Sequence, residues 1–507
     1  MFTGRHFKFL ILKKLVLLLG LVLGTSLFTK AQSVSGKIVD EAQNPVPYAT
    51  IQMGDRYGVI SNIDGEFTLV VREPAETDTV IISYLGFESL KIPAVQFTEK
   101  TYVLKEQVTE LDEVLVSNKQ LSPEEIIAKM LDAAPQLYAG DDRSQVFFMR
   151  NQENQRLIDF TFEIDKASKS SRADLKTINQ EIGELTESIV GSRFRFFTEY
   201  YGDYIKWEDS SKLKVEKAVI LKDKDRDMSA EEITKKLINT VRPYLENDAT
   251  YKVKTGIIKI EDSLKTDEMF EEDIDSVKGK TRYVKSSLRW RLKGHNEFYK
   301  DDDLDFFRKQ NRYEYTLEGY SNIGGESVYV ISFTPDRGSA QFRGKMYINV
   351  FDFALMRLEY EMLEGERLQN INLKFLLGIK YREDRVKVTS EYRKNKEGKY
   401  YLKFGRKSSG MYAYISRPLK FIKNRTEASS DRQVFKMDFT FEIDNVSSSE
   451  IYIVESREIT ADDYKSFETQ ENFEPVEIEA YDASIWEGYN IIAPIEAIRT
   501  YGKTEVY

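Results

Sequence analysis

The 507 residues include 74 basic and 84 acidic side chains for a net charge of −10, 41% hydrophobic residues, and 30 each of Tyr and Phe. Such a chain has too much apolar material for global disorder and too much length for one core, and its acidic balance argues against nucleic acid and anionic lipid as partners. The absence of cysteine excludes disulfides, thiolate nucleophiles, Cys-ligated zinc and a lipid-modified N-terminal Cys.

The first 31 residues hold Arg5, Lys8, Lys13, Lys14 and Lys30 and no acid, ahead of the apolar run Leu15–Leu23 and the small residues Thr29 and Ala31. This is the pattern of a secretory signal peptide at 1–31 cleaved before Gln32. Of the two histidines only His295 lies beyond it, so a Ser-His-Asp triad or multi-histidine metal site would depend on a single imidazole.

Alternating apolar and polar positions predict strands at Val34–Val39, Tyr48–Met53, Val59–Ser61, Glu66–Val71, Thr79–Tyr84 and Thr101–Leu104. Asn44-Pro45 supplies a breaker, and Asn62-Ile63-Asp64-Gly65 reads as a hairpin loop with Gly65 at positive φ. Strands of this length and spacing predict a small β-sandwich over 32–106. The segments GKIVD, NPVPYATI, SNIDGEF and ISYLGF resemble the carboxypeptidase-like regulatory domain, a transthyretin-like seven-stranded sandwich also found at the N-termini of TonB-dependent outer-membrane receptors. The resemblance covers Val34 to about Leu104, and LDEVLV at 111–116 is similar to the segment joining that domain to a receptor plug. It implies a structural or interaction module at the outer membrane and no peptidase.

Residues 107–140 read as a linker and a short helix: Ser122-Pro123-Glu124-Glu125 is a capping box with proline in the first turn, and Ile126, Ile127, Met130, Leu131 and Ala134 share one face up to Pro135. A second capping box, Ser229-Ala230-Glu231-Glu232, opens a helix carrying Ile233, Leu237, Ile238, Val241 and Leu245. The interval 166–281 otherwise yields little. Residues 141–475 are expected to form a large antiparallel curved sheet or half-barrel, so the fold class is mainly β with a few helices. Its clearest strands are Ile158–Asp165, Arg357–Met362 and Phe435–Asp444, each with one apolar and one polar face. Further strands are expected at Arg312–Glu318, Val328–Phe333, Gly344–Val350, Leu373–Ile379, Val386–Arg393 and Tyr400–Phe404. The sequence DFTFEID occurs at both Asp159–Asp165 and Asp438–Asp444, by convergence of two similar strands or by duplication. The run from Arg312 to Glu361 resembles lipoprotein-carrier half-barrel folds, which implies an apolar face able to hold a lipid.

Several clusters invite a functional reading. Asp223, Asp225 and Asp227 have calcium-loop spacing, but Met228 replaces the required Gly and Thr234 the Glu, so a solvated turn is expected. Asp301, Asp302, Asp303 and Asp305 read as a charge run beside a helix start. Phe160, Phe162, Phe439 and Phe441 are the candidate ligand-facing residues. Trp486 and Tyr489, in the C-terminal segment 476–507 expected to pack on the sheet, are a candidate aromatic platform. No residue pattern demands a cofactor, metal or catalytic centre. The expectation is an exported, non-enzymatic envelope protein, periplasmic or outer-membrane-associated, that binds a protein partner or lipid-like ligand. The alternatives are a carboxylate-based hydrolase of envelope glycans or peptides and a small outer-membrane barrel with a periplasmic sandwich.

Overall fold

The computed structural model describes residues 32–501 except 55–56, 72–74, 76, 108–120, 139, 141, 223–235, 237–238, 248, 257, 267–278, 339 and 426–432. The expected signal peptide, the calcium-like spacing at Asp223–Asp227 and the capping box at Ser229 lie outside the described residues. Among the described residues no helix is long and apolar enough to cross a membrane.

Seven strands build the first module: β1 (Gln32–Val39), β2 (Thr50–Met53), β3 (Tyr57–Ile60), β4 (Glu66–Val71), β5 (Thr79–Ser83), β6 (Leu90–Pro93) and β7 (Lys100–Val103). They form a three-stranded sheet, β4-β1-β7, and a four-stranded sheet, β3-β2-β5-β6. Ile38, Ile51, Val59, Phe67, Leu69, Val80 and Ile82 fill the space between the sheets and are almost fully buried. Gly65 has φ +76°, and a Cβ there would come within 2.4 Å of the Ile38 carbonyl oxygen, so only glycine fits this turn.

The rest of the chain is dominated by one fourteen-stranded sheet. Its strands are β8 (Arg143–Ala167), β9 (Arg193–Trp207), β10 (Ser210–Leu221), β11 (Thr250–Thr255), β12 (Ile258–Lys265), β13 (Tyr313–Ile323), β14 (Glu326–Pro335), β15 (Phe342–Asn349), β16 (Leu355–Met362), β17 (Gln369–Leu373), β18 (Ile379–Lys394), β19 (Tyr400–Lys423), β20 (Val434–Glu458) and β21 (Val476–Ile478). The order is β13-β14-β15-β16-β18-β19-β20-β8-β9-β10-β21, with β17 added to β18 and the β11-β12 hairpin to β19. The path runs from one edge strand to another, and every pair except β10-β21 is antiparallel. The two DFTFEID copies face each other across β8 and β20: Phe439 pairs with Phe162, Thr440 with Thr161 and Phe441 with Phe160.

Three helices cover parts of this sheet: α1 (Pro123–Leu137), α2 (Arg172–Ile189) and α3 (Thr281–Asn296). Ser122 closes the expected capping box with Glu125, and α1 continues past Pro135 to Leu137. Ile126, Ile127, Met130 and Ala134 of α1 pack with Val284, Leu288 and Leu292 of α3 against Phe147, Met149, Leu402, Ile451 and Ile453. Phe148 and Arg150 point the other way, as strand alternation requires, towards the sandwich and the C-terminal segment. Helix α2 was not foreseen; it packs Leu175 and Ile182 on Phe162 and Ile164, and Ile189 on Leu157 and Phe160. The Asn179 side chain bonds both the N–H and the carbonyl of Ile164, at 2.9 and 3.0 Å, fastening α2 to β8.

One expected strand is not continuous. Leu373–Ile379 divides into the end of β17, a helical turn at Lys374–Leu377 and the start of β18. Gly378 makes the break: it has φ +61°, and a Cβ there would stand 2.1 Å from the Ser416 carbonyl oxygen.

Candidate functional site

The long strands cross two regions with different surroundings. In the first, proximal region charged side chains of alternating sign, buried except for the half-buried Arg406, stand on neighbouring strands. Arg357 on β16 stands opposite Glu391 on β18, Arg406 on β19 opposite Glu450 on β20, Glu450 opposite Arg150 on β8, and Arg150 opposite Glu199 on β9. The ion-pair distances are 2.8 Å for Arg357–Glu391, 3.7 Å for Arg406–Glu450, 3.4 Å for Arg150–Glu450 and 2.7 Å for Arg150–Glu199. Burial desolvates Arg150, yet Glu199 and Glu450 hold it above its ordinary value.

This row fastens two other parts of the chain. Arg150 donates to the carbonyls of Ile492 and Ala493 at 2.8 and 3.0 Å, and Trp486 Nε1 donates to Glu199 at 2.6 Å. The sandwich meets the same face: Tyr48 stacks on Phe404 at 4.7 Å, the Tyr452 hydroxyl donates to the Gly58 carbonyl, and Arg357 donates to the Tyr84 hydroxyl. The hairpin loop at 62–65 then grips the C-terminal segment. Asn62 donates to the Pro494 carbonyl, Asp64 accepts the Glu496 N–H and Glu66 pairs with Arg499.

Trp486 and Tyr489 therefore sit in this junction. Trp486 is 4% exposed, its ring meets Tyr489 edge-on at 5.6 Å, and Lys217 lies over both rings. They border a cleft of about 830 Å³ between the sandwich and the C-terminal segment, also lined by Lys37, Thr68, Lys100 and Tyr481. Among the described residues two carboxyls are held above the usual range, Asp203 by burial and then Glu216, and Asp438 by burial and then Asp165; neither lines this cleft. Asp305 is buried and accepts from the Tyr313 hydroxyl, while Asp302 and Asp303 face solvent. Among the described residues no three His, Cys, Asp or Glu side chains are grouped to hold a metal ion.

In the second, distal region the sheet is amphipathic across β17, β18, β19, β20 and β8. One row of directly paired residues is Leu373–Ile379–Ile415–Phe441–Phe160, and the next is Ile371–Tyr381–Ala413–Ile443–Leu157. The alternate rows, Asn372–Lys380–Tyr414–Glu442–Asp159 and Asn370–Arg382–Tyr412–Asp444–Arg156, are polar and face the other way. Helix α2 covers only one end of the apolar band. Phe160 and Phe162 are 7% and 8% exposed beneath it, with Phe439 and Phe441 half-buried at its margin. The four phenylalanines thus share one face, and two of them belong to a filled core. Ile379, Tyr381, Ala413, Ile415 and Ile443 are half-buried and join none of the buried clusters among the described residues, while Ile371 and Leu373 are 47% and 38% exposed. These residues were missed in the sequence because Ile371 and Ile415 stand in short, mixed runs whose common face is visible only once register is known.

No curated protein matches the chain. Among solved structures it is similar to a DUF1329 family protein from Desulfovibrio piger, at 10% identity over 67% of this chain and 92% of that one. It is also similar to a LolA superfamily protein from Nitrosomonas europaea, at 9% identity over 67% of this chain and 96% of that one. Both TM-scores are 0.15, so neither likeness adds to the architecture read from the strands themselves. Sequence and sandwich agree at the other end of the chain: residues 34–116 match the family model of the CarboxypepD_reg-like domain.

Proposed function

We propose that the chain is an exported, non-enzymatic protein of the cell envelope that binds an apolar ligand on the distal half of its sheet, with the sandwich and C-terminal segment bracing the proximal half. The observation that carries this reading is the Leu373–Ile379–Ile415–Phe441 row, an apolar stripe across four strands with no described element packed on most of it. Covering such a face contributes about 25 cal/mol for each Å² of apolar surface removed from water, and a flexible hydrocarbon chain can follow a row of side chains spaced at the ~4.8 Å strand separation. The receptor-type opening module agrees with an envelope location.

The test is native mass spectrometry and solvent extraction of the full chain purified from its own envelope, beside Ile415→Asp. A retained hydrophobic molecule, lost in Ile415→Asp at unchanged thermal midpoint, supports the reading. A ligand-free chain that takes up no added fatty acid or phospholipid overturns it.

A further inference from the structure

The helical turn between β17 and β18 is the most exposed apolar feature among the described residues. Phe375 is 99% exposed and Leu376 73%, with Leu373 at 38% and Ile371 at 47% beside them. A fully exposed Phe on a short turn gains nothing from the fold of its own chain. Gly378 fixes the turn, its carbonyl accepts the Ser416 N–H at 2.8 Å, and the Arg417 side chain packs alongside. The turn is therefore held on the sheet with its apolar tip outward.

Three of the segments around it are basic, while the next strand, β20, carries Asp438, Glu442 and Asp444 opposite Pro418, Tyr414 and Tyr412. Residues 369–381, 412–423 and 250–255 contain Lys374, Lys380, Arg417, Lys420, Lys423, Lys252 and Lys254 and no acid, in a chain of net charge −10. These segments are neighbours: Leu373 pairs with Ile379, Ile379 with Ile415, and Lys420 with Lys254. Lys423 is engaged by Glu246 and Lys252 by Asp262, whereas Lys374, Lys380, Arg417, Lys420 and Lys254 form no ion pair among the described residues. Lys374 and Lys380 instead lie over the rings of Tyr414 and Tyr412, at 4.0 and 5.2 Å. Tyrosine rings with long cationic side chains are suited to the headgroup layer, where the stems and rings sit in apolar surroundings and the charges meet phosphate.

We propose that the Leu373–Leu377 tip inserts shallowly into an anionic lipid bilayer, with Phe375 and Leu376 as the wedge and Lys374, Lys380, Arg417 and Lys420 on the headgroup phosphates. The acidic average of the chain does not oppose this, because at physiological salt charges beyond about 8 Å are largely screened and the distal edge presents its own local field. Pairing of an apolar wedge with a basic rim is what reversible surface anchoring requires, since either term alone is weak. The proposal does not rest on the apolar-ligand reading, which concerns the face behind the tip.

The full chain is sedimented with sucrose-loaded vesicles of phosphatidylethanolamine with phosphatidylglycerol, and with vesicles of phosphatidylcholine alone. The expected result is binding to the anionic vesicles that weakens at high salt, and partition onto phosphatidylcholine at least about tenfold lower. The double substitution Phe375→Ser with Leu376→Ser should lower partition by about tenfold or more, and Lys374→Gln with Lys380→Gln, which removes two of the four cations, should about halve the salt dependence. Both variants should keep the wild-type thermal midpoint because the replaced side chains are exposed or only half-buried. Ile415→Asp should bind vesicles as the wild type does, which separates this proposal from the ligand reading. Failure to bind anionic vesicles, or equal binding by the Phe375→Ser/Leu376→Ser variant, would overturn the proposal.

Discussion

The proximal and distal halves of β8, β19 and β20 use the same strands to opposite ends. Each strand is 24 or 25 residues long, roughly 80 Å at ~3.3 Å per residue. In the proximal half both faces are covered, one by α1 and α3, the other by the sandwich and the C-terminal segment, and even the charged positions are withdrawn from water. In the distal half one end of the apolar face lies under α2, and among the described residues no element packs on most of the rest. Burial on both faces leaves a strand no freedom to bind anything else, so the proximal half reads as scaffold and the proposed ligand binding falls to the distal half.

The largest expected effect breaks the proximal half. Arg150 is 2% exposed and holds Glu199, Glu450 and two carbonyls of the C-terminal segment. Arg150→Met leaves Glu199 buried without its cation and Glu450 with Arg406 alone, at 3.7 Å, and should cost about 3–5 kcal/mol in urea unfolding. A cost under about 1 kcal/mol would mean that the row is solvated and behaves as a surface ion pair. Limited proteolysis of this variant should release the segment after residue 476 sooner than in the wild type.

A second, somewhat smaller effect is a pH dependence from α3. His295 is buried, bonds Ser390 Oγ through Nδ1 at 2.7 Å, and packs its ring on Gly405, where a Cβ would come within 2.7 Å of Nε2. Desolvation first, then Lys407 and Arg291, pull its pKa from 6.5 to about 4. Between these values the unfolded chain binds the proton and the folded chain does not, so stability falls as pH drops from 6.5 towards 4 and levels off below. The loss is at most about 3 kcal/mol. His295→Gln should flatten this part of the stability-versus-pH curve measured by thermal melts; an unchanged slope would assign the dependence to other groups.

The sequence disclosed those features whose causes are local. Turn chemistry at Asn62–Gly65 and short alternating runs were enough for the sandwich, and the Ser122 capping box was enough for α1. Helix α2 carried comparable signals, a Ser171–Asp174 capping box and Leu175, Ile178, Ile182 and Ile189 at helical spacing, that went unread among its charged residues. Leu373–Ile379 looked like one strand because LKFLLGI is apolar apart from Lys374 and Gly378, and only the contact of Gly378 with Ser416 shows why it must turn. The buried row was hidden for another reason. Arg357 sits on what alternation marks as the polar face, and alternation does not say whether that face meets water; Glu391, Arg406, Glu450, Arg150 and Glu199 join it from strands up to 300 residues apart. Phe160, Phe162, Phe439 and Phe441 were found together because each pair repeats the same DFTFEID string. The open continuation of their face needed the register of β17, β18 and β19.

A third prediction concerns the grip of the sandwich on the C-terminal segment. Asn62 is fully buried, accepts the N–H groups of Asp64 and Glu66 at 2.9 Å, and donates to Pro494. Asn62→Ala leaves those partners unsatisfied and should cost about 1–2 kcal/mol, with earlier proteolytic cleavage after residue 476. If stability fell without exposing that segment, Asn62 would serve only its own turn.

The smallest effect, at Ile415, best separates the two halves when it is set against a large one at Leu402. Leu402 and Ile415 are both aliphatic residues of β19, thirteen positions apart, but Leu402 is fully buried against the helices and Ile415 stands in the open band. Leu402→Ala should cost about 2–5 kcal/mol, because the lost contacts and the cavity add. Ile415→Thr keeps the β-branched shape that suits a strand, removes apolar surface that is already partly wet, and should change stability by no more than about 0.5 kcal/mol. Urea midpoints of the two variants, measured side by side, check the contrast. A large loss at Ile415 would show that this face is covered in solution by some part of the chain, and the distal half would then be scaffold as well; a negligible loss leaves it as surface that the fold maintains without using.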